Sequence, residues 1–517
     1  MNQRSYNIFF NLHTISGIII SAALFVIFFA GSFAFFRDEI ANWQKNEEIA
    51  LTENGITVNL DTVFDSLKNN YNLYGRDIEI AKHYNERRVS VNLSASKDSL
   101  ATKEDKAGTF FYLDTQTYNT YTYVQSYTLG EFLYRLHFFA QIKYPFGYYL
   151  SGFVAFFFLF AIITGVLIHW DKIISNFYTF RPKAKFKTIW TDAHTALGTI
   201  GLPFQFVYAV TGAFFMLSLL MAAPNVMFLY NGNQQKLYED LEYFDKPVAL
   251  SYQKIETVPS VETFVDKTKK EWNGFEVSHI HIYNYADSNM QVAVEGELEK
   301  DIKFTGTGKV IYNAISGEIL SKKNPITKTS YLDGVKNAMY KLHYGDYGGL
   351  TLRLISFVLG LISCFVIISG VLIWLVARDK KNVPEKKRRF NKILVNIYLS
   401  ICLSMYPITA LAFIAVKVFH PVGQSFIYKF YFIGWLLLSV FFFIKKSNYF
   451  TNKYCLLSGS ILGLLIPIAN GITTGNWLWK TYANNQFQSF FIDIFWIILA
   501  FTTLIITFKI KRKPLKP

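Results

Sequence analysis

The sequence predicts an all-α polytopic membrane protein of about eight transmembrane helices, with an internal parallel repeat in the first four and two extracytoplasmic α+β domains. Three observations carry that reading. Eight runs of nearly uncharged residues are each long enough to cross a bilayer. Two polar segments of about 100 residues separate the first four runs. A histidine also recurs at matching places in the two halves of that N-terminal portion, as an internal duplication would place it.

The first four runs fall at about 8–36, 146–169, 196–222 and 350–377, and the last four at 392–418, 425–444, 454–473 and 487–508. The chain is 51% hydrophobic and 18% aromatic, the composition expected of such spans. Its organisation follows: a first span (1–36), a polar domain (37–135), two spans with a basic loop (136–222), a second polar domain (223–342), a fourth span (343–377), a basic loop (378–391), then four spans and a basic tail (392–517). The first run resembles a signal peptide at a glance. Its apolar core exceeds the ~7–15 residues of such a segment, and it pairs with the third run in the repeat, so it reads as a retained helix.

The net charge of +15 is concentrated in short stretches. Lys172, Arg181, Lys183, Lys185 and Lys187 lie between spans two and three, Arg378 to Arg389 follow span four, and Lys509 to Lys516 close the chain. Basic loops on alternate sides set orientation by the positive-inside rule, which places both termini in the cytoplasm of a multi-pass protein. Membrane lipid accounts for these charges, and nucleic acid is not implied. Cys364, Cys402 and Cys455 all lie in or beside apolar segments, so no disulfide framework is expected in the polar domains. Three thiols also cannot make an iron–sulfur site that takes four.

Both polar segments alternate as strands do. Arg88–Leu93 and Phe110–Asp114 are candidates in the first; His279–Tyr283, Met290–Val294 and Lys309–Tyr312 in the second, with a turn at Ser316-Gly317-Glu318 and a helix over Val261–Trp272.

The histidines repay close reading. Leu12-His13-Thr14 is followed eighteen residues after His13 by Gly31, and Ala193-His194-Thr195 is followed eighteen residues after His194 by Gly212. Likewise Leu136-His137 leads to Thr164-Gly165-Val166-Leu167-Ile168, and Leu342-His343 leads to Ser369-Gly370-Val371-Leu372-Ile373. A parallel repeat has a two-fold axis along the membrane normal. It makes His13 equivalent to His194 at the cytoplasmic side and His137 equivalent to His343 at the external side. Helix bends are expected at Pro145 or Gly147, and near Gly345 to Gly349, to keep the external pair at the membrane. Ionisable groups at membrane depth need a reason. Two imidazoles facing across a bundle would complete a six-coordinate haem iron, with Gly17, Gly198 and Gly201 allowing close approach of a flat ring. The plainer alternative is interfacial histidines bonded to water or lipid.

At these residues the sequence resembles the PepSY-associated transmembrane family, which includes bacterial ferric-siderophore reductases and iron-regulated membrane proteins. The matching pieces are Leu12-His13-Thr14, Trp190 to Gly198, the Leu-His pairs at 136–137 and 342–343, and the Gly-Val-Leu-Ile helix ends. Ser316-Gly317-Glu318-Ile319-Leu320 is similar to a PepSY-domain turn, which makes the two external domains PepSY-like. The similarity covers about 1–378. It implies two haems b, held by His13 with His194 and by His137 with His343, in an oxidoreductase of the bacterial inner membrane. Such a protein reduces a ferric siderophore or other ferric chelate on the periplasmic side, in iron acquisition.

Arg353, at the start of span four, is a candidate to neutralise a haem propionate. His169 has Trp374 as its repeat counterpart and is a possible substitute for His13 or His194. His279 and His281 share one face of a strand. No strand-coupled Gly-x-Gly-x-x-Gly and no sizeable cytoplasmic segment is present for a flavin or nicotinamide, so electrons are expected from a membrane quinol or a separate cytoplasmic reductase. Two rival readings stand beside this one: a haem-free PepSY scaffold that binds peptides or restrains an extracytoplasmic peptidase, and a transporter.

Overall fold

The structure, a computed structural model, describes residues 1–49, 55–179, 181, 183–184, 186–241, 243, 245–299, 303–304, 306–327 and 330–510. Eight helices are long and apolar enough to cross a membrane: Gln3–Ala34, Phe146–His169, Leu202–Leu229, Gly349–Arg378, Glu385–Val418, Gln424–Ile444, Asn448–Thr474 and Phe487–Lys509. Prolines mark two interruptions. The third span, expected over 196–222, is preceded by a separate helix Phe186–Ile200, because Pro203 cannot continue the ladder across Gly201. The fifth breaks at Ser404, where the ring of Pro407 opposes the carbonyl four residues back. The expected bends before spans two and four are present. Helix Leu129–Leu136 ends at His137 and the chain turns before Phe146. Helix Tyr331–Tyr344 ends at Gly345, which with Gly349 adopts the left-handed conformation that glycine tolerates best.

The chain divides into two compact units. One holds Met1–Glu48, Tyr127–Ala223 and everything from Leu342; the other holds Ile49–Ser126 and Pro224–Lys341. In the first, span one packs against spans two and four, and span four against helix Phe186–Ile200. The late spans attach through helix Arg37–Lys45. Trp43 Nε1 donates to Asp493 Oδ1 (3.0 Å), Asn470 Nδ2 to Asp493 Oδ2 (2.8 Å), and Lys417 Nζ to Asn46 Oδ1 (2.6 Å) and the Trp43 carbonyl. Asp493 is the only acidic residue between 392 and 508, and both its oxygens are occupied in this joint.

The second unit is built on one antiparallel sheet of β1 (Ile78–Ala81), β2 (Arg88–Leu93), β3 (Thr109–Asp114), β4 (Thr120–Tyr121), β5 (Phe275–Tyr283), β6 (Gln291–Leu298), β7 (Thr307–Asn313) and β8 (Ile319–Lys323). Their order is β4-β3-β2-β1-β5-β6-β7-β8. The sequence reading separates the two polar segments into two domains; each instead supplies half of a common sheet. The reason is an edge. The four-residue β1 would leave the first half with open backbone groups, and β5 covers them, with Ile80 opposite Ile280. The helices on the buried face are joined reciprocally: Glu262 accepts from Leu60 N (2.8 Å), while Asp61 accepts from Ser260 Oγ (2.6 Å) and Val261 N (3.2 Å).

Across the β1–β5 junction, His279 Nε2–H donates to Glu79 Oε1 at 2.8 Å. That bond holds the Glu79 carboxyl down to about 2. A depressed carboxyl stabilises the fold above its ordinary range and loses that contribution as pH falls through its folded value. His279→Ala is therefore expected to weaken the junction at neutral pH and to flatten its dependence between pH 4.5 and 2. Amide exchange of β1 and β5 in the full chain checks this; unchanged protection in the variant would refute it.

Candidate functional site

Two histidine pairs occupy the first unit. His13, on span one, and His194, on helix Phe186–Ile200, have ring centroids 6.3 Å apart and planes at 78°. Each is seated on a backbone carbonyl. His13 Nδ1–H donates to the carbonyl of Ala161 (2.9 Å) and His194 Nδ1–H to that of Val366 (2.9 Å), with Ser369 Oγ also within 3.1 Å of His194 Nδ1. Those carbonyls lie four residues before Gly165 and Gly370. A Cβ at Gly165 would come within 3.1 Å of His13 Cε1, and one at Gly370 within 3.2 Å of His194 Cε1. The residues just before these glycines repeat as well, with Thr164 Oγ1 donating to Ala161 O (3.0 Å) and Ser369 Oγ to Val366 O (2.8 Å).

His137 and His343 form the second pair, with ring centroids again 6.3 Å apart and planes at 31°. His137 caps the end of Leu129–Leu136, a helix started by the Thr128 side chain and anchored by Glu131. The buried Glu131 carboxylate accepts from Arg37 Nε (2.9 Å), Arg37 Nη2 (2.7 Å) and Arg135 Nε (2.6 Å). His137 Nδ1–H donates to the Tyr134 carbonyl and His343 Nδ1–H to Thr211 Oγ1 (2.8 Å). His137 and His343 both line an apolar cavity of about 100 Å³, together with Phe28, Gly31, Phe158 and Phe204.

Carbonyl oxygens only accept, so Nδ1 carries the proton in His13, His194 and His137. Thr211 donates its own proton to Val207 O (2.7 Å), which makes it an acceptor toward His343 as well. In the neutral imidazole this leaves Nε2 unprotonated in all four rings, the form that ligates metals. An imidazole nitrogen binds a metal at about 2.0–2.1 Å and lies about 1.15 Å from its ring centre, so two rings sharing one metal would stand about 6.3–6.5 Å apart, and the centroid spacing of each pair is compatible with that. Among the described residues no group of three His, Cys, Asp or Glu side chains is placed to hold a bare ion. A pair of imidazoles would therefore suit a metal that brings the rest of its coordination with it, as haem iron does.

A family model for the PepSY-associated TM region matches residues 10–377. The chain belongs to that family. No curated protein matches it. All four paired histidines lie inside the stretch that carries the PepSY-associated TM match, and the spans from Glu385 onward lie outside it.

The other expected site residues of this PepSY-associated TM protein are placed differently. Arg353 is drawn to Glu39 (Nη2–Oε1 2.7 Å) and to the Phe35 carbonyl (3.1 Å), and it does not line the cavity of the second pair. The carboxylate of Glu39 thus holds the guanidinium. His169 ends span two within electrostatic range of His13, but the partner facing His13 is His194. His279 and His281 share a strand face with centroids 6.3 Å apart, and His279 bonds Glu79. Sequence reasoning missed the seats of the rings. The Thr164-Gly165 and Ser369-Gly370 repeats are visible in the chain, but nothing in them says that a histidine from another helix rests there. Thr211 carries no repeat signal at all, since its counterpart before Gly31 is Ala30.

Proposed function

We propose that this chain is a haem-b electron-transfer protein of the bacterial inner membrane that reduces ferric iron, free or held by a siderophore, on the periplasmic side. The observation that carries the reading is the doubled histidine pair: two sets of rings at a common 6.3 Å spacing, every one with Nδ1 engaged. When bound, haem would supply one-electron chemistry, held by the paired histidines. The chain's own residues hold the rings. Ala161, Val366 and Tyr134 carbonyls and the Thr211 hydroxyl fix each tautomer, Gly165 and Gly370 leave space for His13 and His194, and the apolar lining of the second cavity excludes water. With both termini cytoplasmic, the first pair stands near the cytoplasmic face, facing a quinol or a separate reductase as donor. The second stands near the periplasmic face. The engagement of both Asp493 oxygens in a structural joint weighs against a transport path through the late spans.

A reduced-minus-oxidised visible spectrum with a pyridine haemochrome count tests this on the purified chain. The expected result is two haems b per chain, falling to one in His13→Ala and to one in His137→Ala. A colourless protein from a haem-sufficient host would sink the reading and leave the scaffold reading in its place.

A further inference from the structure

We propose that Thr211 makes the second histidine pair electronically distinct from the first, by tuning His343 so that this pair holds the higher redox potential. The inference rests on the haem reading above. In the first pair both Nδ1–H groups donate to backbone carbonyls at 2.9 Å, with Ser369 Oγ a second, longer partner of His194 at 3.1 Å. In the second only one does. His137 takes a carbonyl from its own helical turn, whereas His343 takes the Thr211 hydroxyl from span three. The repeat position of Thr211 is Ala30, whose methyl accepts nothing. Thr211 is only 1% exposed, so water is a poor replacement for its oxygen.

An acceptor on Nδ1–H draws the proton outward and makes Nε2 a stronger donor to the metal. A stronger donor favours ferric over ferrous iron and lowers the potential; such hydrogen bonding is one of the levers a protein has on haem. A hydroxyl oxygen is a weaker acceptor than a peptide carbonyl. His343 is therefore the weakest donor of the four, and the pair containing it is easier to reduce. Transfer from the first pair toward the second is then downhill, with Thr211 a positioning residue that acts only through His343.

Redox titration of the wild-type chain, Thr211→Val and Thr211→Ser tests this. Electron paramagnetic resonance tells the centres apart, because rings at 78° leave the iron orbitals more nearly degenerate than rings at 31° and give the more anisotropic low-spin signal. In the wild type the less anisotropic centre should have the higher midpoint. In Thr211→Val that centre alone should rise further, by about threefold to tenfold in its reduced-to-oxidised ratio at fixed potential, tenfold being 59 mV for one electron. Thr211→Ser should restore it. Loss of that haem in Thr211→Val with retention in Thr211→Ser also supports the proposal, since the hydroxyl then orients the ring. Unmoved midpoints, a shift in the other centre, or loss of haem in both variants would overturn it. A wild-type chain with no haem to titrate would instead overturn the functional reading on which it rests.

Discussion

If the chain carries the two haems proposed for it, replacing Gly17 with leucine is expected to remove one of them while leaving the protein folded. Gly17 lies one turn along span one from His13, on the same face of the helix. A Cβ there would meet no other protein atom within 4 Å, and one at the equivalent Gly198 would only touch Val366 Cγ1 at 4.0 Å. The protein thus has no packing use for the absence of side chains at these two positions, although most glycines in membrane bundles serve close helix contact. Open room beside the first pair, on both halves of the repeat, is what a flat ligand needs. Leucine fills that room without disturbing a protein contact, so the haem count should fall from two to one with the thermal midpoint of the haem-free chain unchanged. Gly165→Val should give the same loss by a different route, since its side chain would strike His13 itself. A Gly17→Leu chain that keeps both haems would show that the space serves something else.

What the sequence disclosed and what it hid divide along physical lines. The eight spans were legible because apolar length is written in one dimension, and the matching Leu-His and Gly spacings were enough to expect His13 beside His194 and His137 beside His343, where their rings stand. The bends after His137 and at Gly345 were legible too, from proline and glycine. The seats of the rings were not, because a carbonyl such as Ala161 O or Val366 O has no side-chain signature, and which helix offers it depends on packing. The shared sheet was hidden for a related reason. Strand β1 is four residues long, and nothing local says that Ile80 will face Ile280 across two hundred positions of chain. The ion pair of Arg353 was hidden because charge alone does not identify a partner, and Glu39 lies more than three hundred residues away in the chain.

On the proposed haem reading, Glu131→Ala is expected to remove the haem of the second pair and spare that of the first. Glu131 joins helix Leu129–Leu136, which delivers His137, to Arg37 at the end of span one. Arg37 is 4% exposed and Glu131 2%. Removing one partner of a buried ion pair leaves the other charge in low dielectric and costs about 3–5 kcal/mol; Asp38, 2.6 Å from Arg37, keeps the loss toward the lower end. The cost falls on a helix of eight residues, too short to hold His137 without its anchor. The sign with pH follows from the same contacts. Burial pushes the Glu131 carboxyl up, but Arg37 and Arg135 beside it outweigh burial and hold it below its ordinary 4.5. Its contribution is complete above that value and fades as pH falls through the lower folded value. The less anisotropic centre should therefore bleach before the other on acidification below about pH 4.5, and Glu131→Gln should remove the difference. Replacing both partners by apolar residues, Arg37→Met with Glu131→Leu, should recover much of what Glu131→Ala loses, because no charge is then left buried alone. Equal loss of both centres in Glu131→Ala would mean that the pair supports the whole bundle rather than the placement of His137.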